Sequence, residues 1–449
     1  MVNTRRLACI FLVPTLGCAA SAGSASYSTL RADYARTETR HSDPLARDLA
    51  SQPVLERAEY VRAVLRQNPT VESARQGWRA AVSRIKQAGP FDDPEVELGL
   101  APLTVGSKAP FGYELAVSQR LPWFGKRSLE SAAATAEAGA AKSDYEITKR
   151  DLALSALVLY DQYFVAVRAL EINHRHVELM GVMRSAALSA LEVGRGSAQD
   201  PLQAEAELAH MEHDTALLTS ERDVTIAQMN ELLHRSPELP LPPPSKELPL
   251  PLPALADTKR LEADAVSGRT EITAARQRAE AAQAQADRAE RDAYPDLTLS
   301  TAYNSMWDMP EHRWMVGVGF NLPIQSARRT GARDESLALR SQLESEALRL
   351  TDAAKTQAFV AHRRLEESKH VLALFEGRLL PVARDQIDAA RAGFTTSQTP
   401  FMAVVLAEKN LRSVELDYEK ARAECAHRHA ELERALGRIP GIGARGGDR

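Results

Sequence analysis

The sequence predicts a mainly α-helical protein that also contains four short β-strands, and three observations lead to this fold class. Aromatic residues are only 5% and charged residues 26% of the chain, a mix that suits long, solvent-lined helices packed through small side chains. The sequence also contains an internal duplication, with two similar halves. Each half holds two short segments of period-two hydrophobicity, followed by a long stretch with almost no proline.

The duplication rests on four landmarks that recur at nearly one offset. The hexapeptide beginning at Val71 resembles the one beginning at Ile272, which is 201 positions later. The other recurring landmarks are Pro94 with Pro295, Leu121-Pro122 with Leu322-Pro323, and Gly194 and Pro201 with Gly393 and Pro400. The predicted organisation is therefore an N-terminal linker at 18–55, a first repeat at 56–236, a proline-rich linker at 237–253, a second repeat at 254–438 and a flexible tail at 439–449.

Two strands per repeat follow from alternation of apolar and small or polar residues. The predicted apolar faces are Val96, Leu98 and Leu100; Tyr113, Leu115 and Val117; Leu297, Leu299, Thr301 and Tyr303; and Trp314, Val316, Val318, Phe320 and Leu322. Such strands suit a barrel with lipid outside and water inside. A hairpin packed on a protein core is the alternative. Four strands cannot close a barrel, so copies must associate if the strands span a membrane, and three copies give twelve strands.

The helices predicted after the strands are too long to wrap a globular core. Residues 126–192 read as one helix, and 325–392 repeat the pattern with a kink at Pro381. The last helix carries a heptad stripe typical of coiled-coil packing, in which Cys425 is a core residue. The stripe is Val404, Leu411, Tyr418, Cys425 and Leu432. No segment after residue 25 is expected to be apolar enough for a membrane helix.

The N-terminus predicts export. A charged start and an apolar segment at 7–16 indicate a signal peptide over 1–17. The tetrapeptide Thr-Leu-Gly-Cys ending at Cys18 resembles a bacterial lipobox, in which Cys18 is lipidated after cleavage. Cleavage near residues 20–22 without lipidation is the alternative. With Cys18 lipidated, Cys425 is left without a disulfide partner in the mature chain.

Enzymatic chemistry is not indicated by any motif. The sequence has no glycine-rich phosphate loop, no G-x-S-x-G and no H-E-x-x-H. The net charge of -4 does not suggest a nucleic-acid partner. We therefore expect a non-enzyme without cofactors. The spacing of His210 and His213 permits a metal pair on one helix face, with two solvated surface histidines as the alternative.

Taken together, these features resemble the TolC-like outer-membrane factors over about residues 50–437. The resemblance is carried by the duplication, the strand exit Leu-Pro-Trp-Phe-Gly-Lys-Arg at 121–127 and the helix turns at 193–200 and 392–399. It implies a homotrimer with a 12-stranded barrel in outer-membrane lipid and a periplasmic α-helical coiled-coil barrel. It also implies a periplasmic adaptor and an inner-membrane pump of the resistance-nodulation-division type as partners. The strand exit is most similar to members that export heavy-metal cations.

The two helix turns are the predicted docking site for the adaptor. The residues concerned are Gly194, Arg195, Gly196, Gly393, Thr395 and Thr396. The glycines are expected to take positive φ at a chain reversal. Asp200 is expected to be the N-cap of the next helix and a candidate constriction residue. The second turn has Thr399-Pro400 where many relatives carry an acidic residue, which leaves Asp200 as the acidic candidate.

The sequence leaves other functions open. Within the same fold, a drug-efflux or a type I secretion channel is the alternative to a metal-efflux channel. A periplasmic coiled-coil adaptor or scaffold without membrane strands is a further alternative, although adaptors usually carry one helical hairpin and this chain predicts two. An envelope hydrolase is disfavoured by the absence of a catalytic motif.

Overall fold

The computed structural model describes residues 22–41, 52–105, 111–248, 257–396 and 398–442. The α-helices are α1 (Ala22–His41), α2 (Arg57–Gln67), α3 (Pro69–Ala88), α4 (Lys126–Glu192), α5 (Gln199–Leu232), α6 (Thr258–Gly268), α7 (Thr270–Arg291), α8 (Ser326–Leu374), α9 (Leu380–Thr395) and α10 (Phe401–Ala435). The strands are β1 (Glu95–Ala101), β2 (Gly112–Leu121), β3 (Leu297–Asn304) and β4 (Trp314–Phe320). The predicted signal peptide and Cys18 lie outside the described residues.

The chain divides into two compact units. One unit combines the N-terminal part through Thr37 with Ala80–Ala138 and Glu280–Arg340, and it contains the strands. The other combines Glu38–Arg79, Gly139–Ala279 and Ser341–Arg449, and it is helical.

The first unit holds one antiparallel sheet in the order β1-β2-β3-β4. Its register places the four predicted apolar faces on a single side, because residues directly opposite in an antiparallel pair share a face. Val96 pairs with Val117, Val117 with Thr301, and Thr301 with Val316. The predicted strands are confirmed, except that β4 ends at Phe320 and Leu322 follows it.

The second unit is built from helices that share apolar cores. One core surrounds Tyr160 and Phe164 of α4, which are fully buried together with Tyr60 of α2 and Met229 of α5. The predicted heptad stripe of α10 is confirmed, since Val404, Leu411, Cys425 and Leu432 are all buried and Tyr418 packs beside them. Burial raises the pKa of the Cys425 thiol, as expected of a core residue.

The long helices match the sequence prediction closely. The predicted helix at 126–192 is α4, with 67 residues. The predicted helix at 325–392 is interrupted by a π-helical turn at Phe375–Leu379, and Pro381 lies in the first turn of α9. Because proline has no N–H, the α-helical hydrogen bonding cannot continue through this position.

One expectation about apolarity is wrong for part of α4. By length and composition alone, α4 is the one helix in the described part of the chain that qualifies to cross a membrane. Half of its most apolar window is buried within the protein. A helix of 67 residues spans about 100 Å at 1.5 Å per residue, several times the thickness of a bilayer core.

Candidate functional site

The first helix turn joins α4 to α5 through Gly194. Its φ of +73° is confirmed as the left-handed conformation that glycine tolerates best. The Gly194 N–H donates to the carbonyl of Leu191 at 2.9 Å, and the Arg195 N–H donates to that of Ala190 at 2.8 Å. These bonds satisfy the last carbonyls of α4. Arg195 is exposed to solvent.

Gly196 serves the same turn for a different reason. It does not have positive φ, so that expectation is wrong. A Cβ at this position would lie 3.1 Å from the backbone nitrogen of Leu191 and 3.2 Å from the carbonyl carbon of Ala190. Glycine is therefore favoured here, because a larger residue would push against the backbone at the end of α4.

Asp200 is not the N-cap of α5, contrary to the sequence expectation. The helix begins at Gln199, its N-cap is Ala198, and Asp200 lies in the first turn. The Asp200 carboxylate instead accepts the backbone N–H of Ser197 at 3.0 Å. A carboxylate here still stabilises the helix start, because it faces the positive end of the helix dipole.

The second turn joins α9 to α10 and also differs from the expectation. Gly393 lies within α9 and does not have positive φ. A Cβ on Gly393 would collide with the side chain of Thr399, whose backbone N–H donates to the Gly393 carbonyl at 3.1 Å. The glycine is needed because the chain folds back over it.

The two threonines of this turn close the end of α9. The hydroxyl of Thr395 donates to the Ala392 carbonyl at 2.8 Å, and that of Thr396 donates to the Gly393 carbonyl at 3.1 Å. Both residues are exposed. Any partner that binds here therefore meets methyl groups and backbone edges more than unengaged hydroxyl groups.

Both turns lie at the same end of the helical unit. The four helices that lead into them share one apolar core close to the turns. Its buried members are Met180, Met183 and Ala187 of α4; Ala204 and Met211 of α5; Ala383 and Ile387 of α9; and Phe401, Val404, Val405, Ala407 and Leu411 of α10. The structure therefore brings the predicted docking residues of the two repeats to one surface.

A buried charged layer lies among the same helices, and sequence reasoning missed it. His176 of α4 is 3% exposed and Glu408 of α10 is fully buried. The Nδ1 atom of His176 contacts Glu408, and its Nε2 atom lies 3.0 Å from Glu415. Arg391 of α9 lies 3.6 Å from Glu408. This layer links the α4–α5 hairpin to the α9–α10 hairpin.

Arg412 extends the layer to α5. Its guanidinium donates to Asn173 at 3.0 Å, to Asp214 at 3.1 Å and to Glu207 at 3.3 Å. Lys409 also reaches Glu207, at 3.2 Å. Of these groups, Arg412 and Glu207 are buried, so a shift of the helices that separated them would leave a buried charge without its partner.

Electrostatics favour the charged forms of the central groups. Burial lowers the pKa of His176, but its hydrogen bonds with Glu408 and Glu415 outweigh this effect, so the pKa lies above its ordinary value. Burial raises the pKa of Glu415, but His176 and Arg175 outweigh it and hold the pKa below its ordinary value. The neighbouring carboxylates therefore favour the protonated form of His176 more than water does.

A weak signal for this layer exists in the sequence. Glu408, Arg412 and Glu415 follow one another at spacings of four and three on α10, next to the apolar heptad stripe. The same spacing is equally typical of charged residues on a solvent-exposed helix face. The burial appears only when the second hairpin packs against α4, which a single helix pattern does not show.

A second polar cluster lies at the exit of β2, inside the predicted motif at 121–127. Asp296 precedes β3, and its carboxylate accepts from Lys126 at 2.8 Å, from Arg120 at 2.7 Å and from the backbone N–H of Trp123 at 3.0 Å. Burial raises the pKa of Asp296, but these donors outweigh it and hold the pKa at about 2. The Trp123 ring stacks on Tyr294 at 5.5 Å.

The two histidines of the candidate metal pair, His210 and His213, are both exposed on α5. In the part of the chain that the structure describes, no group of three or more His, Cys, Asp or Glu side chains is placed to hold a metal ion. The prominent geometry is thus two turns at one end of a helical unit and an open four-stranded sheet.

Comparison with known proteins identifies the fold. The outer membrane protein VceC from Vibrio cholerae matches with a TM-score of 0.70 and 17% identity, over 86% of this chain and 96% of that chain. CusC, described in terms of folding and transmembrane channel formation, matches with a TM-score of 0.73 and 16% identity over 88% and 96%. The open MtrE outer membrane channel of Neisseria gonorrhoeae matches with a TM-score of 0.71 and 16% identity over 86% and 89%.

These likenesses confirm the part of the predicted fold that concerns a single chain, which is mostly helical with a few antiparallel strands. No protein-family model and no curated protein sequence matches the chain.

Proposed function

We propose that this protein is the outer-membrane channel subunit of a tripartite efflux system and acts as a passive exit duct. The single observation that carries the proposal is the open sheet of four strands with one continuous, exposed apolar face. Val96 is 67% exposed, Val316 85% and Phe320 62%. Water would oppose such a surface, whereas the hydrocarbon of a bilayer accepts it.

The ends of the strands support a membrane position. Tyr303 packs against Tyr113 at 5.8 Å and against Trp314 at 5.2 Å near one end of the sheet. Trp123 and Tyr294 stack at the other end. Aromatic girdles at both interfaces flank the apolar band of transmembrane barrels. The ten residues of β2 are long enough to cross when tilted, and β1, β3 and β4 have seven, eight and seven residues.

A trimer follows from the same sheet. An open edge within a bilayer leaves backbone N–H and C=O groups without partners, which is prohibitive in hydrocarbon. The sheet must therefore be completed by further copies. Two copies give eight strands, which side chains fill, whereas three give twelve and leave room for a channel. The helical units of three copies would form the periplasmic barrel.

The turns are the proposed docking surface for a periplasmic adaptor. The two turns of each chain lie at one end of the helical unit and expose Arg195, Thr395 and Thr396. A trimer would present six such turns. An inner-membrane pump of the resistance-nodulation-division type would deliver the substrate. Asp200 and Arg195 would supply charge at this mouth.

Heavy-metal cations are the proposed substrate class, on the resemblance of the strand exit at 121–127. A duct that passes cations need not hold them, so the exposed positions of His210 and His213 are compatible with a passive role. Drug efflux is the second candidate, because the substrate is selected largely by the pump.

Membrane fractionation and gene deletion test the proposal. We expect the protein in the outer-membrane fraction, with detergent required for its extraction. Release by salt or carbonate alone would instead favour the periplasmic scaffold. We further expect the deletion strain to become sensitive to a divalent or soft monovalent cation. Sensitivity confined to organic compounds would assign the channel to drug efflux.

A further inference from the structure

The two outer strands of the sheet each have a single strand partner among the described residues. β1 pairs with β2, and β4 pairs with β3. Six of the seven residues of β1 are exposed, and so are six of the seven of β4. Both edges are therefore open to another strand.

The pairing of β2 with β3 serves as a template for the strand pairing that would cover the two open edges. It joins the first repeat to the second within one chain, and Leu121 at the exit of β2 pairs with Leu297 at the entry of β3. The two repeats are offset by 201 residues, so Leu121 corresponds to Leu322 in the second repeat and Leu297 corresponds to Val96 in the first. Leu322 and Val96 lie at the exit of β4 and the entry of β1 and are 70% and 67% exposed.

In the proposed channel, β4 of one copy meets β1 of the next, as closure of the barrel requires. We propose that Leu322 of one copy lies opposite Val96 of the next at this junction, and that Arg328 of the first copy forms an ion pair with Glu95 of the second. The inference rests on the proposed trimeric channel and specifies how its copies recognise each other. The partner of the exposed charged residues at each edge is then a second copy of this chain.

Charge complementarity supports this assignment. Residues 92–97 contain four carboxylates and no basic side chain, whereas 324–333 contain three arginines and no carboxylate. Of those arginines, Arg333 already pairs with Glu290 at 2.7 Å, and Arg329 donates to the Pro323 carbonyl at 2.5 Å. Arg328 is exposed.

The template also contains an ion pair at this place. Lys126 and Asp296 lie 2.8 Å apart beside the Leu121–Leu297 pair. The positions 201 residues away are Glu95, which keeps the carboxylate, and Ala327, which loses the base. Arg328 is the next residue and has a longer side chain. Arg120, the other basic partner of Asp296, corresponds to Asn321. The proposed junction therefore keeps one of the two basic partners of the template, displaced by one position.

The symmetry that results is closed and head-to-tail. The interface uses two different edges, so each copy contributes one edge to each neighbour. A ring with n copies has n such junctions and leaves neither β1 nor β4 with an exposed edge. Because every copy carries the same substitution, one substitution weakens all the junctions of the ring. Assembly should therefore be sensitive to it.

Charge reversal tests the ion pair. In detergent extracts, Arg328→Glu and Glu95→Arg should each lower the ratio of trimer to monomer by roughly tenfold, since like charges meet at every junction. The double variant should recover the trimer. Arg363→Glu on α8 is the matched control, because Arg363 is 67% exposed and pairs within the chain with Glu366. Single variants at the wild-type ratio, or a double variant no better than the singles, would overturn the ion pair.

Cysteine cross-linking tests the register independently of charge. Paired strands hold opposite Cα atoms about 4.5–5.5 Å apart, within the range of a disulfide. Val96→Cys with Leu322→Cys should therefore give cross-linked multimers under mild oxidation, and each single variant should give none. Trimers without cross-linking would overturn the inference and leave the channel intact. A wild-type protein without trimers would overturn the proposed channel as well.

Discussion

His176 of α4 contacts Glu408 of α10 inside the helical unit, where both side chains are buried. The contact joins the hairpin of the first repeat to that of the second, below the two turns. A buried ionic pair is a poor source of net stability, but removing one partner is costly because the other charge is left buried. This pair therefore determines how firmly the two hairpins are held together.

The first prediction concerns this pair. His176→Leu should destabilise the helical unit by about 3 kcal/mol, because Glu408 then keeps only Arg391 as an ionic neighbour among the described residues. The double variant His176→Leu with Glu408→Leu should recover much of the loss, since this pair then leaves no buried charge. Denaturant unfolding followed by helical circular dichroism measures both. Equal losses in the single and double variants would contradict this role.

The second prediction concerns pH. The pKa of His176 is raised above 6.5, so its contribution to stability is complete below pH 6.5 and is lost as the pH rises through the raised value. The pKa of Glu415 is lowered below 4.5, so its contribution is complete above pH 4.5 and is lost as the pH falls through the lowered value. The layer should thus contribute most between about pH 4.5 and 6.5.

Thermal unfolding at a series of pH values checks this window. His176→Gln should remove the loss of stability on the alkaline side, because glutamine does not titrate. The groups that face His176 are Glu408 and Glu415, with Arg175 and Arg391 beside them. If the variant still loses thermal stability above pH 6.5 as steeply as the wild type, the titration of another group causes that loss.

The third prediction concerns the first turn. Gly194→Val should leave trimers intact and abolish efflux, since a β-branched residue at positive φ strains the turn by about 1–3 kcal/mol and the strain is local. Gly181→Val is the matched control, because Gly181 lies in α4 without positive φ and a Cβ added there would meet no neighbouring atom within 4 Å. Resistance and cross-linking to the adaptor are measured together. Normal values for the Gly194 variant would mean that docking lies elsewhere.

The fourth prediction concerns the second turn. Gly393→Ala should deform it, because the new methyl group meets the side chain of Thr399. Thr399→Gly in the same chain should relieve the collision and restore efflux in part. The expected result is a defect in resistance with a normal trimer yield. A Gly393→Ala protein with full resistance would show that this turn adapts without loss.

The fifth prediction concerns Cys18. If the lipobox is used, the wild-type protein should take up an acyl-chain label and Cys18→Ser should not. In the proposed channel the strands hold the protein in the membrane, so the variant should still reach the outer membrane. A wild-type protein that takes up no label would instead favour cleavage near residues 20–22.

The sequence allowed most of the fold to be predicted, because the relevant signals are local and periodic. Alternation identified the strands, and the proline-free stretch identified α4 with both of its ends. Asp200 was misassigned because an Asp-Pro pair usually supplies an N-cap and a first helical residue, whereas α5 begins two residues earlier, at Gln199. Gly393 was misassigned because its constraint comes from Thr399, which approaches it only when the chain folds back. The His176 layer depends on packing between hairpins, and its local signal is ambiguous.

Native mass measurement of the detergent-extracted protein tests the central claim most directly. Among the described residues, the sheet has two open edges and an exposed apolar face, which require copies to associate in a bilayer. We predict a species with three copies of the chain that persists on dilution below the concentration used for extraction. A stable, folded monomer under the same conditions would contradict the barrel, and with it the proposal that this protein is an outer-membrane duct.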